Sequence, residues 1–284
     1  MPIRSGDEWL ALCKEENKLQ PSLRRHIYRV DNYVVKIDLA ADEPDVYGDF
    51  HNPRITRLLS ENAKAMTELV NQTTTIPIPQ FVEDGYLSGF NGANCDFSVW
   101  TYIEGCTLEE RWDQLTTNQK EKLMERLLGF VRQLEKVENP LKEEFAVGTL
   151  CSTHELLNNP GIPGKEERFW RNNGPFKNVE EYAQKGPELY YYIATFPSST
   201  KDVLDQMDWF RCNVLIDEEG ERVVGVLDWE NAGFSPCPKE NFVAGASPEV
   251  VKKFYPWLNL FDGFDNLYHL VFGRTNGNGS NERV

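Results

Sequence analysis

The stretch "HIYRVDNYVVKIDL" (26–39) alternates β-branched and aromatic residues with polar ones, and Asp31-Asn32 interrupts it. Alternation with period two gives a strand one apolar face, and an Asp-Asn pair supplies turn residues, so the pattern predicts a β-hairpin. The next segment has another period. In "ITRLLSENAKAMTELVNQ" (55–72), Leu58, Leu59, Ala63, Met66 and Val70 recur at near-helical spacing and predict an amphipathic helix. The prolines of "TTIPIPQFVEDG" force an extended path into an edge strand. "DFSVWTYIEG" (96–105) predicts an apolar strand that stops at Gly105. These elements add up to a small β-rich lobe with one helix.

Beyond Glu104-Gly105 the pattern turns helical. "TLEERWDQL" and "TTNQKEKLMERLLGFVRQLEKVE" predict helices, the second with Leu123, Leu127, Val131 and Leu134 on one face. Residues 139–178 are irregular, rich in Pro, Gly and Asn. Asn178 and Glu181 have the spacing of an N-cap and its capping-box partner, which starts a helix over "VEEYAQKG". A loop, a strand (214–217), a turn at Glu219-Gly220 and a strand (222–227) follow, and the remainder reads as mostly helical. The expected fold class is therefore α+β: an N-terminal β-rich lobe (1–104), a helical C-terminal lobe (105–273) and a disordered tail (274–284).

Charge and cysteine usage narrow the function classes. The formal net charge is -15 over 284 residues, with a pI of about 4.8. Such a surface repels nucleic-acid backbones and anionic lipid, so neither is an expected partner, whereas a small cationic molecule is compatible with it. No run approaches the roughly 20 apolar residues needed to span a bilayer, and the start is too polar for a signal peptide. The six cysteines and four histidines are scattered, without metal-ligand spacing. They predict free thiols in a reducing, cytoplasmic setting.

One stretch carries candidate chemistry. "VLDQMDWFRCNVLIDEEGERVVGVLDWENAGFSP" (203–236) places Asp208 in a loop, Asn213 at the entry of one strand and Asp228 at the exit of the next. A tight two-stranded ribbon returns the chain to its start, so Asn213 and Asp228 are expected close together, with Asp208 adjoining. Phosphoryl transfer needs hard oxygen ligands for a metal ion, a carboxylate to take the proton of the attacking group, and a Lys on the phosphates held by a Glu. Asn213 and Asp228 fit the first need and Asp208 the second. Lys36, alone on the apolar "YVVKI", fits the third, with Glu61 as its expected partner and Glu68 as the alternative. Taken singly, each has an ordinary explanation: Lys36 as an edge-strand gatekeeper, Asp228 as a helix N-cap. In this order and on these elements, they match a kinase catalytic loop followed by its metal-binding Asp.

The chain resembles the aminoglycoside phosphotransferase and choline kinase-like superfamily, specifically its fungal-type branch of small-molecule kinase-like proteins. The matching pieces are "YRVDNYVVKI", "TTTIPIPQFVEDG", "WTYIEGCTLEERW", "GPFKNVEEY" and "MDWFRCNVLID…GVLDWENAGFSPCPKE", covering about residues 27–240. The resemblance implies a two-lobed protein kinase-like fold that binds ATP and Mg²⁺ and phosphorylates a small acceptor. It implies adenine contacts from the backbone of Thr101, Tyr102 and Ile103, Lys36 on the phosphates, Glu61 on Lys36, Asp208 as base, and Asn213 and Asp228 on Mg²⁺. It also implies that "WENAGFSPCPKE" runs straight toward helices, without a long activation loop.

Two positions depart from the family. Gln206 stands where a His usually precedes the catalytic Asp; an amide both donates and accepts, so the loop is expected to hold. The segment "NKLQPSLRRHIYRVD" has no glycine, although glycines let backbone N–H groups approach phosphate. Ser22, Arg24 and Arg25 are the candidates for that contact. Glu230, Asp262 and Asp265 are candidates to line an acceptor site, beside their ordinary reading as caps and solvated faces. The retained polar set favours an enzyme acting on a hydroxyl, or an amine, of a small molecule. The missing glycines favour a non-catalytic binding or scaffold protein. A kinase-like fold recruited to another reaction is the third reading.

Overall fold

The computed structural model describes residues 4–21, 25–38, 53–90, 93–144, 148–150, 175–178, 180–181, 201–206, 209–237 and 260. A five-stranded antiparallel sheet comes first. Its strands are β1 (Lys18–Pro21), β2 (Arg25–Val30), β3 (Tyr33–Asp38), β4 (Phe81–Phe90) and β5 (Ala93–Thr101), in the order β1-β2-β3-β5-β4. The predicted hairpin is β2–β3, turning at Asp31 with φ 54. Such a conformation suits Asp better than most residues, because its short polar side chain tolerates it.

The sheet has two unlike faces because side chains alternate along each strand. Val35 and Ile37 have no exposed surface, and they join Tyr28, Val30, Cys95, Phe97 and Val99 in one core. Trp9 closes that core from α1 (Gly6–Leu12). Ser5 caps α1 and Glu8 completes the capping box, a signal the hydrophobic pattern did not raise. Lys36 falls between Val35 and Ile37 and so belongs to the opposite face, across from Ser98 on β5 and Ile27 on β2.

Helix α2 (Pro53–Thr73) follows the predicted amphipathic segment, extended by a few residues. Its buried Met66 and Val70 join a second, larger core, together with Leu123, Met124, Leu127, Phe130, Val131 and Leu134 of α4 (Thr117–Leu134). Thr116 caps α4 through a box with Gln119. Short elements precede it: β6 (Cys106–Thr107) and α3 (Leu108–Arg111), so the predicted "TLEERWDQL" helix is a single turn that passes into a 3₁₀ turn at Trp112–Gln114.

Strand β5 ends at Thr101, short of the predicted Gly105. At that point the chain changes partners: Thr101 N–H donates to Gln80 C=O at 2.9 Å, and Tyr102 N–H to Asn32 C=O at 2.8 Å. Gly105 is needed for close approach, since a Cβ there would lie 2.7 Å from the Ile216 carbonyl oxygen. Strands β6, β8 (Val214–Ile216) and β9 (Val223–Val226) form a small sheet in the order β6-β8-β9. β7 (Lys201–Asp205) pairs with β10 (Gly233–Cys237). That pairing is a correction: the chain after Asp228 forms a strand there, where a run toward helices was expected. Asn178 does cap, accepting the Glu181 N–H at 2.8 Å, while the Glu181 carboxylate accepts the Lys177 N–H at 2.8 Å. The rest of the predicted "VEEYAQKG" helix and the tail lie outside the described residues. None of the described helices is long and apolar enough to cross a membrane.

Candidate active site

The β8–β9 ladder sets the geometry. Val214 pairs with Val226, so the residues flanking the ribbon, Asn213 and Leu227, are neighbours. Leu227 N–H donates to the Asn213 carbonyl at 2.8 Å. Asp228 is the next residue and adopts φ 62, a left-handed conformation that a non-glycine residue holds only when its surroundings over-determine it.

Those surroundings are specific. Gln206, with no exposed surface, donates its amide hydrogens to the carbonyls of Leu227 at 2.9 Å and Asp228 at 2.7 Å. The departure from His therefore places two donors of one side chain on the backbone of the Asp228 turn. Two tryptophans anchor the flanks. Trp209 is buried and donates to Asp205 Oδ1 at 2.8 Å; Trp229 is buried and donates to Val226 C=O at 2.9 Å. Arg211 stacks 3.6 Å over the Trp112 ring and donates to Leu260 C=O at 3.0 Å. Asp208, the expected base, lies outside the described residues, as do Ser22, Arg24, Asp262 and Asp265.

Charges face this turn from the first sheet. Lys36 Nζ lies 4.0 Å from Asp228 Oδ1 and 6.0 Å from the centre of the Trp100 ring. The ion pair of Lys36 is thus with Asp228; Glu61 sits half-buried on α2, and Glu68 is exposed. Arg25, at the start of β2, makes two bonds: its Nε donates to Asp38 on β3 and its Nη1 to Glu230 Oε2 at 2.8 Å. Burial works against the Arg25 charge, but Glu230 and Asp38 more than offset it, holding the guanidinium above its ordinary pKa. Burial likewise raises the Asp228 carboxyl above its ordinary value, with Glu230 adding to the rise and Lys36 and Arg25 opposing it. Asp228 is therefore a half-buried carboxylate whose charge its neighbours compensate only in part.

That condition suits a hard cation. Asp228 offers a carboxylate, and Asn213, whose backbone lies beside the Asp228 turn and whose Oδ1 accepts from Cys212 Sγ at 3.8 Å, carries a carboxamide oxygen; both are oxygen donors of the kind Mg²⁺ takes. Among the described residues no three His, Cys, Asp or Glu side chains gather as a ready-made metal cage. At the proposed adenine edge, the N–H groups of Thr101 and Tyr102 are already taken by Gln80 and Asn32. Among the described residues no backbone carbonyl takes the N–H of Ile103. Arg29 stacks 3.9 Å over Tyr102 and pairs with Glu104 at 3.1 Å, bracing that corner.

Sequence reasoning missed Arg25's carboxylate partners and Asn62. Asn62 did leave a signal, because Asn62, Met66 and Val70 fall at i, i+4 and i+8 and so put a polar residue on the apolar stripe.

No family model and no curated protein matches the sequence. Solved structures do match. A thermostable mutant of aminoglycoside phosphotransferase APH(4)-Ia, in ternary complex with AMP-PNP and hygromycin B, is similar with a TM-score of 0.51 and 12% identity, over 89% of this chain and 76% of that one. The fold is that of the aminoglycoside phosphotransferases. The gentamicin complex of APH(2")-IIa is matched at a TM-score of 0.48 and 16% identity, over 90% of this chain and 83% of that one. With the sheet and helices above, the chain has a two-lobed α+β kinase-like fold.

Proposed function

We propose that the protein is an ATP- and Mg²⁺-dependent phosphotransferase acting on a hydroxyl, or an amine, of a small acceptor. The observation that carries this reading is the partly compensated Asp228 carboxylate, held at φ 62 between the Gln206 amide and Lys36. Such an arrangement costs stability and suits a bound cation. Asn213 and Asp228 would hold Mg²⁺, which supplies charge neutralisation at the phosphates when bound. Lys36 would orient the phosphates, with Glu61 as its partner when Asp228 serves the metal. Asp208 would take the acceptor's proton. The N–H of Ile103, which no backbone carbonyl among the described residues takes, would donate to the adenine edge, framed by the peptides of Thr101 and Tyr102. Ser22, Arg24 and Arg25 would make the phosphate contact that glycines make elsewhere. The acidic surface favours a cationic acceptor. The boundary between lobes would fall near Gly105, and the reduced thiols of Cys13, Cys95, Cys106 and Cys212, none of them in a disulfide, fit a cytoplasmic enzyme.

A specific observation supports the scaffold reading: Arg25 sits in the glycine-free segment with its charge already satisfied by Asp38 and Glu230. Melting curves separate the two. A ligand at 100 times its Kd adds about 2.7 kcal/mol. ATP with Mg²⁺ should therefore raise the melting temperature, and Asp208→Ala should keep that shift while losing roughly 10²–10⁴-fold in transfer to a panel of small alcohols and amines. No shift in the wild type at millimolar ATP and Mg²⁺ defeats the enzyme reading.

A further inference from the structure

Asn62 is 1% exposed on a helix that packs against both cores' elements, and all its polar capacity is committed across long stretches of chain. Its Nδ2 donates to the carbonyls of Glu230 at 3.0 Å and Ala232 at 2.9 Å. Its Oδ1 accepts the N–H of Leu150 at 3.0 Å. A carboxamide offers two donors and an acceptor, so one side chain joins three segments.

The segment it grips is the one that carries Asp228. Gln206 holds the carbonyls of Leu227 and Asp228 from the side of β7, and Asn62 holds those of Glu230 and Ala232 from α2. A local turn, Ala232 N–H to Trp229 C=O at 3.1 Å, lies between these grips. Beyond it, Phe234 and Gly148 exchange two backbone hydrogen bonds, at 2.6 and 2.8 Å. Gly233 permits that contact, since a Cβ there would lie 2.8 Å from Gly148 O. A left-handed Asp persists only when the backbone on both sides is fixed. Gln206 fixes one side. We propose that Asn62 is a positioning residue that fixes the other, holding segment 228–232 to α2 so that the Asp228 carboxylate stays at Lys36. The role in metal binding rests on the phosphotransferase reading; the hold on the segment does not.

The consequence is mechanical. α2 carries both Asn62 and Glu61, so the helix and the Asp228 turn are one unit. Any displacement of α2 must break the Asn62 bonds or drag the turn with it.

Three variants test this. Asn62→Asp keeps the acceptor for Leu150 N–H and removes both donors. Asn62→Leu removes everything at similar volume. Asn62→Ser keeps one donor and should fall between wild type and Asp. Leu134→Ala, in the α4 core, lowers stability without touching the segment. The first readout is ligand-free: hydrogen exchange followed by mass spectrometry of peptides spanning 226–236. Exchange there should rise at least tenfold in Asn62→Asp and Asn62→Leu and remain near wild type in Leu134→Ala. The second is the melting shift with ATP, with and without Mg²⁺. Both variants should lose the Mg²⁺-dependent part and keep the Mg²⁺-independent part, while Leu134→Ala keeps both. Wild-type exchange in Asn62→Asp, or an intact Mg²⁺-dependent shift in both variants, overturns the proposal. If the wild type itself shows no shift, the phosphotransferase reading falls, and the exchange data alone decide whether Asn62 holds the segment.

Discussion

Two sets of side chains meet at Asp228, and different forces hold them. From the second lobe and α2 come neutral hydrogen bonds: Gln206 on the carbonyls of Leu227 and Asp228, Asn62 on those of Glu230 and Ala232, and the Asn213 carbonyl on Leu227 N–H. From the β2–β3 hairpin come charges: Lys36 toward Asp228 and Arg25 toward Asp38 and Glu230. A buried amide–carbonyl bond has no substitute once broken, so it fixes a shape. An ion pair exchanges partners readily for a phosphate or a metal ion, so it leaves a site adaptable. The turn is thus held rigid from one side and left exchangeable from the other.

The largest expected effect lies on the charged side. Lys36→Met removes the cation proposed for the phosphates, and loss of one such electrostatic contact typically costs about 10²–10³ in kcat. Ligand-free melting should barely move, because Lys36 is half-exposed and its pair is long. A transfer assay beside a melting curve checks both halves; a variant with full turnover would leave the charged side without a catalytic purpose.

Next comes the neutral side. Gln206→Leu strips the Leu227 and Asp228 carbonyls, which lie on half-buried residues, of donors from a fully buried side chain. Each unsatisfied buried group costs about 1–3 kcal/mol. For two, about 2–4 kcal/mol is expected, read as a drop of roughly 2–4 °C per kcal/mol. The drop should be the same at low and high salt. Gln206→His, whose neutral ring carries one in-plane N–H donor, should recover part of it. Equal stability of Gln206→Leu and wild type would show that the turn holds itself.

Arg25→Gln should behave in the opposite way with salt. Asp38 is 4% exposed, so removing the guanidinium leaves a buried carboxylate without its cation. About 1–2 kcal/mol is expected, less than for a fully buried pair because Arg25 and Glu230 retain some exposure. The loss should shrink as salt rises, since screening weakens the wild-type pair. A salt-independent loss would place Arg25 with the rigid side.

How much of this was legible followed from how far each feature reaches. The β2–β3 hairpin, α2 and α4 repeat their pattern over enough residues to declare a period, and they appear nearly where expected. β6 and β7 do not, because they are short and their partners lie far along the chain. The ribbon from Val214 to Val226 made the nearness of Asn213 and Asp228 readable, since a tight hairpin constrains its own ends. Which cation meets which carboxylate was not readable. The pairing of Lys36 with Asp228 and of Arg25 with Glu230 depends on how the hairpin sits over the turn, a tertiary fact without a local signature.

The smallest effect concerns pH and decides whether the charged side stabilises the ligand-free protein at all. Burial raises the Asp228 carboxyl above its ordinary value more than Lys36 and Arg25 lower it. A carboxyl raised by folding binds its proton more tightly in the folded than in the unfolded chain. Between its ordinary value and its folded value, the folded state holds more protons, so stability falls as pH rises through that window. At neutral pH the Asp228 charge is then a net cost, regained on acidification. Asp228→Asn removes it at nearly the same side-chain size. The variant should melt slightly above wild type at pH 7, and the gap should close as pH falls through the window between the folded and the ordinary carboxyl values. Its Mg²⁺-dependent shift with ATP should be absent throughout. Paired melting curves over that range give the answer. A variant that melts below wild type at pH 7, with the gap closing on acidification, would reverse the sign: the Lys36–Asp228 pair would then outweigh the burial, and the charged side would stabilise the ligand-free fold.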